Sequence, residues 1–82
     1  KRERIKMYNS CSKQVRLFFK RNGDSDLSTS LNSSTHTEER ATDGDIIQLM
    51  DETGRKELHR VAIAPTTKEV VVVSGCVKLE AR

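Results

Sequence analysis

The residues of this chain best suited to nucleophilic, proton-transfer or metal chemistry are Cys11, Cys76, His36 and His59. A Cys–His nucleophile needs thiol and imidazole within hydrogen-bond reach, and none of these residues lies close to another along the chain. His36 falls in a Ser/Thr-rich stretch and His59 among charged neighbours, so both read as solvated imidazoles. A zinc site asks for about four ligands, which the cysteine and histidine spacing does not supply. Asp24-Ser25-Asp26 begins like a calcium loop, but neither the glycine nor the glutamate that must follow is in place. The glycines are isolated, so no phosphate-cradling loop is present. No catalytic, cofactor-binding or metal-ligating residue is assigned. The chain reads as a non-enzyme with no small-molecule substrate.

The two cysteines carry a second implication. A small domain stapled by disulfides normally holds more than two, so both are expected to be reduced residues of an intracellular protein, cytoplasmic or nuclear. The alternative is a single Cys11–Cys76 bridge closing most of the chain. Asn32-Ser33-Ser34 fits the N-glycosylation pattern, which has meaning only in a secreted protein.

Charge is the strongest non-random feature. Residues 1–21 carry Lys1, Arg2, Arg4, Lys6, Lys13, Arg16, Lys20 and Arg21 against Glu3 alone, whereas the rest of the chain is net acidic and the total is +3. Such a dipolar chain steers its basic end toward an anionic surface. If residues 15–21 form a strand, Arg16, Phe18 and Lys20 share one face. A cation–aromatic–cation row suits stacking on bases with phosphate neutralisation, and equally a protein interface anchored by an aromatic. The candidate partner-binding residues are Arg4, Lys6, Arg16, Phe18, Lys20 and Arg21. The expected partner is another protein chain or a second copy of this one, in an assembly or scaffolding role, with nucleic acid as the alternative.

These residues must be positioned by a small domain. The 82 residues suit one domain, 1–82, and a chain this short buries only roughly 60% of the surface its unfolded form exposes. Only 34% of residues are hydrophobic against 33% charged, and Trp is absent, so the core is small and a partner would help to complete it. No apolar run exceeds four residues, as in Val70–Val73, far short of the ~18 that suggest a membrane span. The opening residues show no signal peptide, and a start without Met reads as a fragment or processed product.

Three apolar runs follow one another in the second half: 46–50, 57–64 and 69–79, separated by turn signals at Asp51–Gly54 and Pro65–Lys68. Four consecutive valines favour a strand, and the spacing predicts an antiparallel meander over residues 46–80. Leu58, Val61 and Ala62 also fit one turn of a helix, but Val61 and Ile63 prefer strands. Both faces of 70–73 are apolar, which calls for cover on both sides. Period-2 alternation over 4–21 predicts two strands with a turn near Asn9-Ser10, and an amphipathic helix is the competing pattern. Residues 24–42 are Ser/Thr-rich with few apolar anchors and are expected to form a flexible loop. The predicted fold is mainly β, a small antiparallel meander, sandwich-like or partly open barrel, with α+β carrying an N-terminal helix as the alternative.

Overall fold

The computed structural model describes residues 3–21 and 26–82, with Glu3 placed by its backbone alone. Lys1 and Arg2 of the basic end, Asn22-Gly23, and the opening Asp24-Ser25 of both the expected loop and the calcium-like triplet lie outside the described residues. Within them the chain forms β1 (Glu3–Asn9), β2 (Val15–Lys20), β3 (Leu27–Leu31), β4 (His36–Ala41), β5 (Ile46–Met50), β6 (Glu57–Ala62), β7 (Glu69–Val72) and β8 (Leu79–Ala81), with no helix. Sheet I has the order β4-β1-β7-β8 and sheet II the order β3-β2-β5-β6. The fold is mainly β, as the patterning predicts, and the two sheets do not close into a barrel.

Alternation decides which side chains enter the space between the sheets. Ile5, Met7, Val70, Val72 and Leu79 come from sheet I, and Val15, Leu17, Phe19, Leu31, Ile47 and Leu49 from sheet II, all buried in one cluster. The N-terminal residues are two strands and not a helix. Their connection differs from a simple hairpin, because β1 and β2 lie in opposite sheets. Asn9 explains the crossing. Its fully buried amide donates to the carbonyls of Lys13 at 2.7 Å and Leu31 at 2.9 Å, and its Oδ1 accepts the Cys11 N–H at 3.0 Å. A buried polar side chain satisfied this way holds the loop in place of a hairpin turn.

The meander expected over 46–80 is corrected in the same sense. β5 and β6 do pair antiparallel, but the chain then crosses to sheet I. There β7 lies parallel to β1 and antiparallel to β8. The crossing turn is closed by Thr67, whose N–H donates to the Ala64 carbonyl while its Oγ1 accepts the Ala64 N–H, both at 3.0 Å. Residues 57–62 are a strand, not the competing helix.

The flexible loop expected over 24–42 is replaced by β3 and β4, joined by a turn at 32–35 in which Ser34 takes a left-handed φ of 61°. Side-chain hydrophobicity is a poor guide here because both are outer strands of their sheets. Backbone pairing to β2 and β1 does much of the ordering, and only Leu31 and Ala41 need full burial.

Val71 supplies a further correction. It points away from the core, yet only 4% of it is exposed, on a row where it lies between Tyr8 and Glu80. Val71 is thus covered within the chain, while Val73, just past the end of β7, is half-buried. No partner is required to cover Val71.

The cysteines are not reduced: Cys11 and Cys76 form a disulfide with a Cα–Cα distance of 5.4 Å, within the ordinary range. Asn9 holds the Cys11 N–H and the Ser33 hydroxyl donates to the Cys11 carbonyl at 2.6 Å, so the β1–β2 loop presents its sulfur to the β7–β8 turn. Gly75 and Cys76 make that turn with φ of 98° and 60°.

Candidate interaction surface

β2 runs through the middle of sheet II, and its alternation places Arg16, Phe18 and Lys20 on the outer face. Arg16 and Lys20 are exposed and Phe18 is half-buried, so the cation–aromatic–cation row expected from the sequence exists as a geometric feature. In the same row as Phe18 stand Ser28 on β3, Gln48 on β5 and Arg60 on β6. Gln48 is nearly buried there, because its Nε2 donates to Glu57 Oε1 at 2.6 Å and Glu57 in turn pairs with Arg60 at 2.8 Å. The Glu57 carboxyl is held below its usual value, first by the Gln48 amide and then by Arg60.

Arg16 leans over the β5–β6 turn. A Cβ at Gly54 would lie 3.1 Å from Arg16 Cδ and Nη1, which the exposed Arg16 side chain can relieve by a small shift, and it is the φ of +73° that favours glycine there. The turn is organised by Asp51, whose Oδ1 accepts the Thr53 hydroxyl at 2.7 Å and the Thr53 and Arg55 amides at 3.1 and 3.2 Å. The Thr53 hydroxyl, followed by the Lys56, Arg55 and Gly54 amides, lowers the Asp51 pKa.

The remaining basic candidates do not join this face. Arg4 and Lys6 lie on the outer face of sheet I. Lys6 stands opposite Glu38 on one side and Glu69 on the other, with its ammonium 5.9 Å from the centre of the Tyr8 ring. Opposite charges on both flanks make it part of the sheet's own cross-strand pairing. Arg4 faces Arg40, and both line a shallow depression with Arg21, Glu38 and Glu39. Arg21 itself lies past the end of β2, 5.9 Å from the centre of the Phe19 ring. One basic patch in the sequence is thus divided over two faces and a depression.

Other features were not legible in the chain. An open cavity of about 620 Å³, lined in part by Lys13, Arg16, Met50, Asp51, Leu58 and Val77, sits where three loops meet beside the disulfide. Leu58 and Val77, 36% and 53% exposed, are the large hydrophobic side chains most open to solvent among the described residues. No periodicity marks them, since Leu58 near the start of β6 and Val77 in the β7–β8 turn come to line one cavity only through folding. His36 is exposed, opposite Tyr8, as expected of a solvated imidazole. His59 is not the freely solvated imidazole expected: it is half-buried and its Nδ1 accepts the Leu79 N–H. Asn32 of the glycosylation triplet is exposed in the β3–β4 turn.

Among the described residues no group of acidic, histidine and cysteine side chains is arranged to hold a metal, and no helix is long and apolar enough to cross a membrane. No protein family, curated protein or solved structure matches this chain.

Proposed function

We propose that this domain is a non-enzymatic protein–protein interaction or assembly module whose contact surface is the outer face of sheet II. The observation that carries the reading is Phe18, a large aromatic left half-buried on that face between two exposed cations. Aromatic and arginine side chains are the residues that most often anchor interfaces. The valine run is not part of the case, because Val71 is already covered within the chain.

The second reading is nucleic-acid binding by the same row, since Arg16, Phe18 and Lys20 offer two phosphate contacts around a stacking surface. Titration of the full chain into a labelled random single-stranded oligonucleotide at two salt concentrations separates the two. An affinity that falls steeply with salt, with a slope reduced by roughly one in Lys20→Ser, establishes the second reading. Weak binding together with self-association or partner binding sensitive to Phe18→Ala supports the first. Phe18→Ala is expected to leave the fold intact, as its ring lies outside the buried cluster. If that variant unfolds the domain, Phe18 is structural and the surface loses its anchor.

An intracellular location depends on reduced cysteines. With Cys11 and Cys76 bridged, cysteine usage favours an oxidising compartment, and we place the domain's working environment there.

A further inference from the structure

We propose that β3 is a homodimerisation edge, along which two copies pair antiparallel about a twofold axis through Thr29 and join their second sheets into one of eight strands. The proposal rests on the assembly reading above and names the partner.

Sheet II ends at β3, and no described strand pairs with its outer side. An outer strand presents a row of backbone donors and acceptors to any extended chain, and proteins commonly blunt such edges with charge, proline, bulges or short length. Three of the four outer strands here follow that rule. β4 carries Glu38, Glu39 and Arg40. β6 carries Glu57 and Arg60 and pairs with β5 through an irregular register. β8 is three residues long and contains Glu80. β3 has none of these devices: it is Leu27-Ser28-Thr29-Ser30-Leu31, five residues with no charge and no proline.

The same five residues read identically in both directions. A twofold interface brings a surface against itself, so residue i meets j and j meets i. With the axis at Thr29, Leu27 lies opposite Leu31 of the partner subunit, Ser28 opposite Ser30 of the partner subunit, and the two Thr29 residues face each other. Apolar meets apolar, hydroxyl meets hydroxyl, and no like charges are opposed. Thr–Thr and Ser–Ser hydrogen bonds are favourable cross-strand pairs. Leu27 and Thr29, half-buried in the isolated chain, gain cover on the inner face. On the outer face the pairing brings two Arg16–Phe18–Lys20 rows onto one continuous surface, since Ser28 and Ser30 are the β3 neighbours of Phe18 and Arg16.

The test is sedimentation equilibrium of the full chain with its bridge intact. The wild type is expected to show a dimer of twice 9.3 kDa. Ser28→Lys/Ser30→Lys opposes two pairs of like charges across the axis and should weaken that dimer by about tenfold. Ser28→Lys/Ser30→Glu makes the same two pairs complementary and should restore it. Ser28 and Ser30 are exposed, and far-UV circular dichroism checks the fold of each variant. A wild type that stays monomeric at its highest soluble concentration overturns the proposal, while leaving a different protein at Phe18 to the experiment above. A dimer indifferent to the like-charge variant, or not restored by the complementary one, overturns the β3 register and keeps the assembly reading. Should a double variant fail to fold, amide exchange of the wild type decides: residues 27–31 must gain protection as concentration rises, and unchanged protection rejects the edge.

Discussion

His59 on β6 accepts the backbone N–H of Leu79 on β8 at its Nδ1, over 2.9 Å, and so ties an outer strand of sheet II to an outer strand of sheet I. The two strands are not paired through a ladder, and an imidazole stands where barrel closure would place backbone bonds. Nδ1 can accept only in the tautomer that carries its proton on Nε2.

His59→Phe keeps a ring of similar size and removes the acceptor. The Leu79 N–H is then left without its partner, at a cost of about 1–3 kcal/mol. Denaturant unfolding should show that loss, and exchange of the Leu79 amide should accelerate. An unchanged exchange rate would mean that the contact does not hold the two sheets together.

The disulfide spans a sequence separation of 65 residues. Cross-linking residues that far apart restricts the unfolded chain, and the chain-entropy estimate is about 4 kcal/mol. For a domain with so small a core that is a large share of its total stability. Unfolded protein kept from reductant should show no reactive thiol, and reduction or Cys76→Ser should lower the unfolding midpoint strongly. Two titratable thiols in the unreduced, unfolded chain would contradict the bridge.

Val71 and Val72 are adjacent and both buried, but they face opposite ways. Val72 belongs to the cluster between the sheets, whereas Val71 lies on the outer face of sheet I. Val72→Asp places a carboxylate in that cluster, costing several kcal/mol, and is expected to prevent folding. Val71→Asp also buries a carboxylate, at a position only 4% exposed on the outer face of sheet I, and should likewise lower stability by several kcal/mol. A Val71→Asp variant with the wild-type denaturant midpoint and circular dichroism would show that the outer face is open to solvent at that position.

Asp51 and Glu57 both have folded-state pKa values lowered, Asp51 chiefly by the Thr53 hydroxyl and Glu57 chiefly by the Gln48 amide. A depressed carboxylate value stabilises the fold above the ordinary carboxylate range, and that contribution is lost as pH falls through the folded value. The β5–β6 turn and the outer face beside it should therefore loosen in acid, while pH changes well above that range leave these two contributions unaltered. Asp51→Asn should flatten the acid side of the stability profile. The readout is the unfolding midpoint followed from neutral pH into acid, and an unchanged profile would assign the acid sensitivity to other groups.

What the sequence determined by itself is the local content of this protein. Period-2 alternation in 15–20, with Val15, Leu17 and Phe19 inward and Arg16, Phe18 and Lys20 outward, was legible because each side chain reports its own face. The valine run and the turns around Gly54 and Pro65 marked strands and their ends for the same reason. Tertiary structure decided which strands are neighbours. β7 beside β1 is a parallel pairing of segments some 60 residues apart, and no local pattern encodes its register. β3 and β4 were hidden because outer strands are ordered largely by backbone bonds to a neighbour, which side-chain hydrophobicity does not record. The disulfide depends on a loop and a turn brought within 5.4 Å at their Cα atoms, and the division of the basic end over two sheets depends on β1 and β2 crossing at Asn9. Both are consequences of position in space: sequence specifies which face a residue takes, and only packing specifies what lies opposite it.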